Sequence, residues 1–218
     1  MPEIARRSVR SQRAEACILS TLVIVGFVVV SYLFFPWHHT SAEQVPLPKT
    51  VQISAKHLPS VTVPAGFAHW TLAIPSQRVT APIDTVGVDA TQNLVIPAAV
   101  SRVGWYDKGG SLDGKAGSVL VAGHVNYVGQ GTGALGRIGF LHVGDAVITR
   151  GTGAPQGWRI TGLTSYLKSD GLPSSIFRSS GSRVLTLVTC GGTLDTHAGS
   201  YLSNIVVTAA PVQTIIAH

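Results

Sequence analysis

The chain has 218 residues, 45% of them hydrophobic and only 12% charged, with 24 glycines and 12 prolines. That length allows one ordinary domain with appendages and hardly two, and the shortage of helix-favouring charged residues argues for a turn-rich all-β domain over a helical bundle. The formal charge of +6 is spread over single residues, with no stripe of Lys and Arg interleaved with aromatics, so nothing marks a nucleic-acid partner.

Residues 1–15 hold Arg6, Arg7, Arg10 and Arg13 against Glu3 and Glu15. Ala16 to Phe35 carries no charge at all, and twenty residues at a rise of about 1.5 Å span roughly 30 Å, one hydrocarbon thickness. With the arginines before it and Tyr32 and Trp37 near its far end, 16–36 reads as one transmembrane helix. The basic segment 1–15 is then cytoplasmic and the rest of the chain extracellular. The competing reading is a cleaved signal peptide, against which stand the length of the apolar run and the bulky Pro36-Trp37-His38-His39 that follows.

Residues 37–68 scatter Pro46, Pro48, Pro59 and Pro64 through a polar stretch without helical period, which suits an extended stalk. His38-His39 has no third ligand nearby and reads as an interfacial polar pair. The domain is expected over 69–213, with 214–218 as a tail. Its strand candidates are Trp70–Ile74, Arg78–Ile83, Val86–Ala90, Leu94–Pro97, Val103–Tyr106, Ser118–Ala122, Ala146–Thr149, Trp158–Thr161, Val184–Cys190 and Asn204–Ala209. Short strands at this spacing, separated by Gly, Pro and Asp turns, indicate a closed barrel or a sandwich. Short helical turns fit near 133–139 and 173–177.

Two strand ends carry chemistry. Val119-Leu120-Val121-Ala122-Gly123 leads to His124, and Leu185-Thr186-Leu187-Val188-Thr189 leads to Cys190, followed by Gly191-Gly192, which are expected to end the strand. Cys17, the other cysteine, lies in the apolar N-terminal run, so Cys190 is a lone thiol in the folded part and not half of a bridge. If the two strands run side by side in the same direction, His124 and Cys190 share a rim. A thiolate stabilised by a neighbouring imidazolium is a nucleophile, and the imidazole serves as acid and base. The bland alternative, a buried Cys and a hydrogen-bonded surface His, fits the same residues. No Cys/His spacing suggests a metal site, and no cofactor is called for.

Val121-Ala122-Gly123-His124 together with Leu185 to Cys190 resembles the two signatures of the sortase family. Leu141-His142-Val143-Gly144-Asp145-Ala146-Val147 is similar to the family's L-x-x-G-D-x-V strand entry. Ser101 to Tyr106 and Thr189-Cys190-Gly191-Gly192 resemble its actinobacterial, class F-like branch. The resemblance runs from about Trp70 to Val212. It implies a closed eight-stranded sortase-type β-barrel and a cysteine transpeptidase. Such an enzyme cleaves an LPxTG-type sorting signal after its Thr, holds the acyl group as a thioester and passes it to an amine of a cell-wall precursor or a pilin. By the resemblance, Cys190 is the nucleophile, His124 the general acid/base, and Thr189 a residue of the substrate groove.

One position departs from the family. Sortases carry an Arg on the strand after the Cys, and no Arg or Lys follows Cys190. Asn204 stands there, able to donate a hydrogen bond through its amide but without charge. Arg102 is the other possible oxyanion or substrate donor, ahead of Arg137 and Arg183. Asp195 reads as an orienter of His124 or His197, or as a plain turn residue. A thiol hydrolase that releases peptides to water, and a weakly catalytic barrel that binds a surface peptide, are the alternative readings.

Overall fold

The computed structural model describes residues 51–52 and 58–217. Thirteen strands follow in order: β1 (Val51–Gln52), β2 (Val61–Val63), β3 (Thr71–Ile74), β4 (Val79–Val86), β5 (Val103–Tyr106), β6 (Ser118–Ala122), β7 (Asn126–Tyr127), β8 (Gly131–Thr132), β9 (Ala146–Arg150), β10 (Gln156–Leu167), β11 (Val184–Asp195), β12 (Ser200–Val212) and β13 (Thr214–Ile216). Helix is confined, among the described residues, to short 3-10 turns, including Ile138–Phe140, Lys168–Asp170 and Ser174–Phe177.

Eight strands close a barrel in the order β10-β12-β11-β6-β5-β4-β3-β9, with β9 pairing back onto β10 and β1 added at the side of β10. Closure leaves no long unpaired edge, which is how a small all-β domain satisfies its backbone polar groups. Most pairings are antiparallel; β6 and β11 run parallel, as do β4 and β5. The eight-stranded closed barrel expected from the sequence is the one observed.

Alternation along the strands sorts the side chains into two layers. Leu185 and Leu187 of β11, with Ile205, Val207 and Ala209 of β12, point into the barrel and join Trp158, Ile160, Leu72 and Val121 in its core. Trp158 is fully buried and donates its indole N–H to Thr149 Oγ1 at 2.8 Å, which satisfies the one polar atom of the largest core side chain. Val188, Val206, Leu120 and Ala122 face outward, where Ile176 and the half-buried Leu94, Ile96, Leu172 and Phe177 cover them. The two cover segments are the β4–β5 and β10–β11 connections. The outer layer, not the barrel interior, is where a ligand has access.

Several expectations are corrected. The transmembrane helix over 16–36 lies outside the described residues. No helix among those described is long and apolar enough to cross a membrane, so the single-pass topology and the extracellular placement built on it are withdrawn. Val61–Val63, expected within the stalk, and Thr214–Ile216, expected as tail, pair with each other in parallel. Val61 and Val63 are buried against Ala73 and Ile148. Alternating apolar residues won over the prolines that flank them, because burial on a barrel wall outweighs a weak local preference. Gly191 and Gly192 do not end β11. The strand continues to Asp195 through an irregularity between Gly191 and Leu194, and Gly192 takes the positive φ of 78° that this requires.

Candidate active site

The sites of His124 and Cys190 follow from one register. On parallel strands β6 and β11, Ser118 pairs with Val184 and Ala122 with Val188. Beyond the last pair the match persists: Gly123 N–H donates to Val188 O at 3.1 Å, and the Thr189 hydroxyl donates to Gly123 O at 2.8 Å across 66 residues of sequence. His124 and Cys190 are the next residue along each chain after this bonded pair. Both line one cavity with Ala122 and Val188 of the outer layer, and Cys190 also packs against the interior cluster, so its thiol sits at the barrel's rim.

The next strand adds Asn204. It is directly paired with Cys190 in the antiparallel β11–β12 ladder, and Tyr166 of β10 pairs with Asn204 in turn. Cys190, Asn204 and Tyr166 thus form a row across three neighbouring strands, with His124 just past the end of the fourth, β6. Directly opposed residues of an antiparallel pair have Cβ atoms about 4.5–5.5 Å apart, so the Asn204 amide is within reach of a group bonded to Cys190.

His124, Thr189, Cys190 and Asn204 line one cavity of about 600 Å³, within the usual size range of ligand pockets. Its apolar surface comes from Leu94, Ile96, Ala122, Leu172, Phe177 and Val188, and Lys168 and Gly171 contribute from the β10–β11 connection. The Cys190 thiol is free and half-buried. His124 and Cys190 share the cavity without a direct hydrogen bond. The ring of Tyr127 stands edge-on to that of His124, with centroids 5.5 Å apart. Behind His124 the chain folds back so closely that a Cβ at Gly133 would run into the His124 carbonyl, and only glycine fits there.

The β4–β5 wall is pinned by a turn. The Asp89 carboxylate accepts from the Thr91 and Asn93 backbone N–H groups at 2.8 and 2.9 Å and from the Thr91 hydroxyl at 2.8 Å. Hydrogen bonds from Asn93 and then Thr91 hold the Asp89 carboxyl below the ordinary aspartate range. Gln92, Asn93, Leu94 and Ile96 of this segment face the cavity. The sequence marks 91–93 only as a turn and 94–97 as a strand; instead, Val88 and Leu94 form an isolated bridge and the segment is a wall of the site.

Arg102 is placed elsewhere. Its guanidinium forms a two-pronged pair with Asp84 of β4, and it does not line the cavity. Hydrogen bonds from Arg102 lower the Asp84 pKa despite an opposing desolvation, with the Arg102 charge adding to the lowering. Arg137 lies over the Phe140 ring, and Arg183 lies over Trp158 and donates to Leu112 O at 2.7 Å. Asp195 acts as a turn residue, its carboxylate accepting from the His197 and Ala198 N–H groups at 2.9 and 3.1 Å. Among the described residues, no group of three or more His, Cys, Asp or Glu side chains is arranged to hold a metal ion.

The sortase domain family model matches residues 72–212, and the chain belongs to the sortase family. Among solved structures the chain is similar to sortase A from Corynebacterium diphtheriae, at 14% identity over 66% of this chain and 60% of that one, with a TM-score of 0.51. It is also similar to sortase C-1 from Actinomyces oris, at 21% identity over 65% and 72%, with a TM-score of 0.50. Sortase E1 from Streptomyces coelicolor, solved with a tripeptide in its active site, aligns at 23% identity over 66% and 86%, with a TM-score of 0.48. A comparison with curated protein sequences finds no match. At such identities the structural likeness speaks for the fold; the family match makes this an enzyme of the transpeptidase class to which sortases belong.

Proposed function

We propose that the chain is a cysteine transpeptidase acting on an LPxTG-type sorting signal, with Cys190 as nucleophile and His124 as general acid/base. The observation that carries this is the shared register that delivers both side chains to one half-open cavity. The Cys190 sulfur, as thiolate, attacks the carbonyl carbon of the signal's Thr. His124, protonated, gives its proton to the departing amine of the following Gly as the C–N bond breaks, leaving a thioester on Cys190. An incoming amine then attacks the thioester carbon and yields a proton to His124. The C–S bond breaks, and the new amide leaves with the thiolate restored. The Asn204 amide, opposed to Cys190, donates to the oxyanion of each tetrahedral intermediate, and Thr189 shapes the groove. Partners in this reading are sorting-signal proteins and an amine of a cell-wall precursor or pilin. The class F-like placement rests on Ser101 to Tyr106 and Thr189 to Gly192.

The test is mass spectrometry of the full chain incubated with a small LPxTG-type peptide library. The expected result is an acyl adduct on the Cys190 peptide that disappears on addition of an amine such as triglycine, with the transfer product formed. Equal transfer by a Cys190→Ala variant would sink the reading. Because Asn204 replaces a cationic residue, a peptide-binding barrel of weak activity is the second reading. It predicts peptide binding without adduct and no labelling of Cys190 by thiol-directed probes at neutral pH.

A further inference from the structure

An imidazole that trades protons must be held in one orientation, and a catalytic base is commonly steered by a third group. His124 has no carboxylate for this part. Among the described residues, the histidines within 4.0 Å of one are His142, beside Asp145, and His197, beside Asp195. Asp195 turns its carboxylate to the His197 and Ala198 N–H groups. What the structure sets against the His124 ring is the ring of Tyr127, with centroids 5.5 Å apart and planes at 61°. That separation and tilt lie within the favourable range for aromatic pairs.

Tyr127 is 55% exposed, so core packing does not hold it; its hairpin does. It lies in β7 and pairs with Gly131 of β8, across a turn in which Gly129 and Gly131 each take a φ of 78°. On one side of Tyr127, Asn126 Nδ2 donates to the Tyr201 hydroxyl of β12 at 2.9 Å. On the other, Gln130 Oε1 accepts from the Val100 N–H and Gln130 Nε2 donates to Ala98 O, both at 3.1 Å. At the base, Gly133 N–H donates to Val125 O at 2.8 Å. The hairpin is tied to its surroundings at each end of the segment that carries the ring.

We propose that Tyr127 is the positioning residue of His124: its ring, presented by the anchored β7–β8 hairpin, restricts rotation of the imidazole. Tyr127 does not itself line the cavity that His124 shares with Cys190, so it acts through His124 and not on the peptide. The contact is between rings, and the hydroxyl is dispensable to it. Holding a reacting group in place changes the rate of the chemical step more than the binding of substrate. The inference rests on His124 taking part in the proton transfers.

The experiment follows transfer of an LPxTG-type peptide to triglycine by the full chain, together with the NMR signals of the His124 ring protons. The expected result is that Tyr127→Leu lowers kcat about threefold to tenfold with KM little changed. Tyr127→Phe keeps the parent rate, as does Val128→Ala, whose residue is 95% exposed on the same hairpin. The His124 ring signals move in Tyr127→Leu and hold in Tyr127→Phe. In a His124→Gln background, Tyr127→Leu brings no further loss, because coupled residues do not add. An equal loss in both backgrounds, or His124 signals that ignore Tyr127→Leu, overturns the assignment of Tyr127 while leaving His124 as acid and base. A parent rate untouched by His124→Gln overturns the reading of His124 and this one with it.

Discussion

Thr189 donates its hydroxyl to the carbonyl of Gly123 at 2.8 Å, and this bond extends the parallel pairing of β6 and β11 up to the two residues proposed for the chemistry. It joins the residue before Cys190 to the residue before His124. Thr189 is 3% exposed, so the bond is shielded from water and fixes how Cys190 within β11 and His124 just past β6 stand relative to each other.

Replacing Thr189 with Val keeps the shape and removes the donor, leaving the Gly123 carbonyl short of a partner. The expected cost is about 1–3 kcal/mol, measured by urea unfolding. Transfer activity is expected to fall as well, because a small displacement of one reacting group relative to the other is costly. A variant that loses stability but keeps full kcat would show that the bond does not set the geometry of the site.

His124→Gln retains a hydrogen-bonding side chain without a basic imidazole. In an LPxTG-type peptide assay the expected loss is roughly 10²–10⁴ in kcat/KM, with the fold preserved by circular dichroism. Loss of less than tenfold would remove His124 from the proton transfers.

Asn204→Ala removes the amide opposed to Cys190. Loss of an oxyanion donor is expected to lower kcat about 10²–10³-fold with a small change in KM, since the interaction forms with the tetrahedral intermediate and not with the ground-state peptide. An effect confined to KM would make Asn204 a substrate-binding residue instead.

The Arg102–Asp84 pair gives a pH prediction. Hydrogen bonds and charge from Arg102 place the Asp84 pKa below its ordinary value. The stability this contributes is therefore present above the unfolded aspartate pKa, near 4, and lost as pH falls through the lowered folded value. Arg102→Gln should raise the Asp84 pKa toward ordinary, followed by NMR titration, and bring a slight loss of thermal stability at pH 7 that vanishes once the pH falls below the lowered folded value. The pair is partly exposed, so the effect is small. An unchanged Asp84 titration would show that the ion pair does not persist in solution.

Much of the barrel was legible in the chain. Ser118–Ala122 and Val103–Tyr106 form strands at the boundaries their apolar, β-branched runs suggested, because a strand buried against a core announces itself by composition. Cys190 and His124 stood out as reactive residues at strand ends beside glycine. The pairing of Val61–Val63 with Thr214–Ile216 was not legible, because a three-residue strand carries almost no periodic signal and depends on a partner about 150 residues away.

By itself, then, the sequence determined the class of fold, the lone thiol in the folded part and the absence of any Arg or Lys after it. Only the tertiary structure decided that β6 and β11 run parallel, so that His124 and Cys190 come to line one cavity. It also decided that Arg102 is spent on Asp84. The reason is physical: composition and periodicity report which side chains are buried, whereas which charges meet is set by strand order and by the path of connections across the barrel wall.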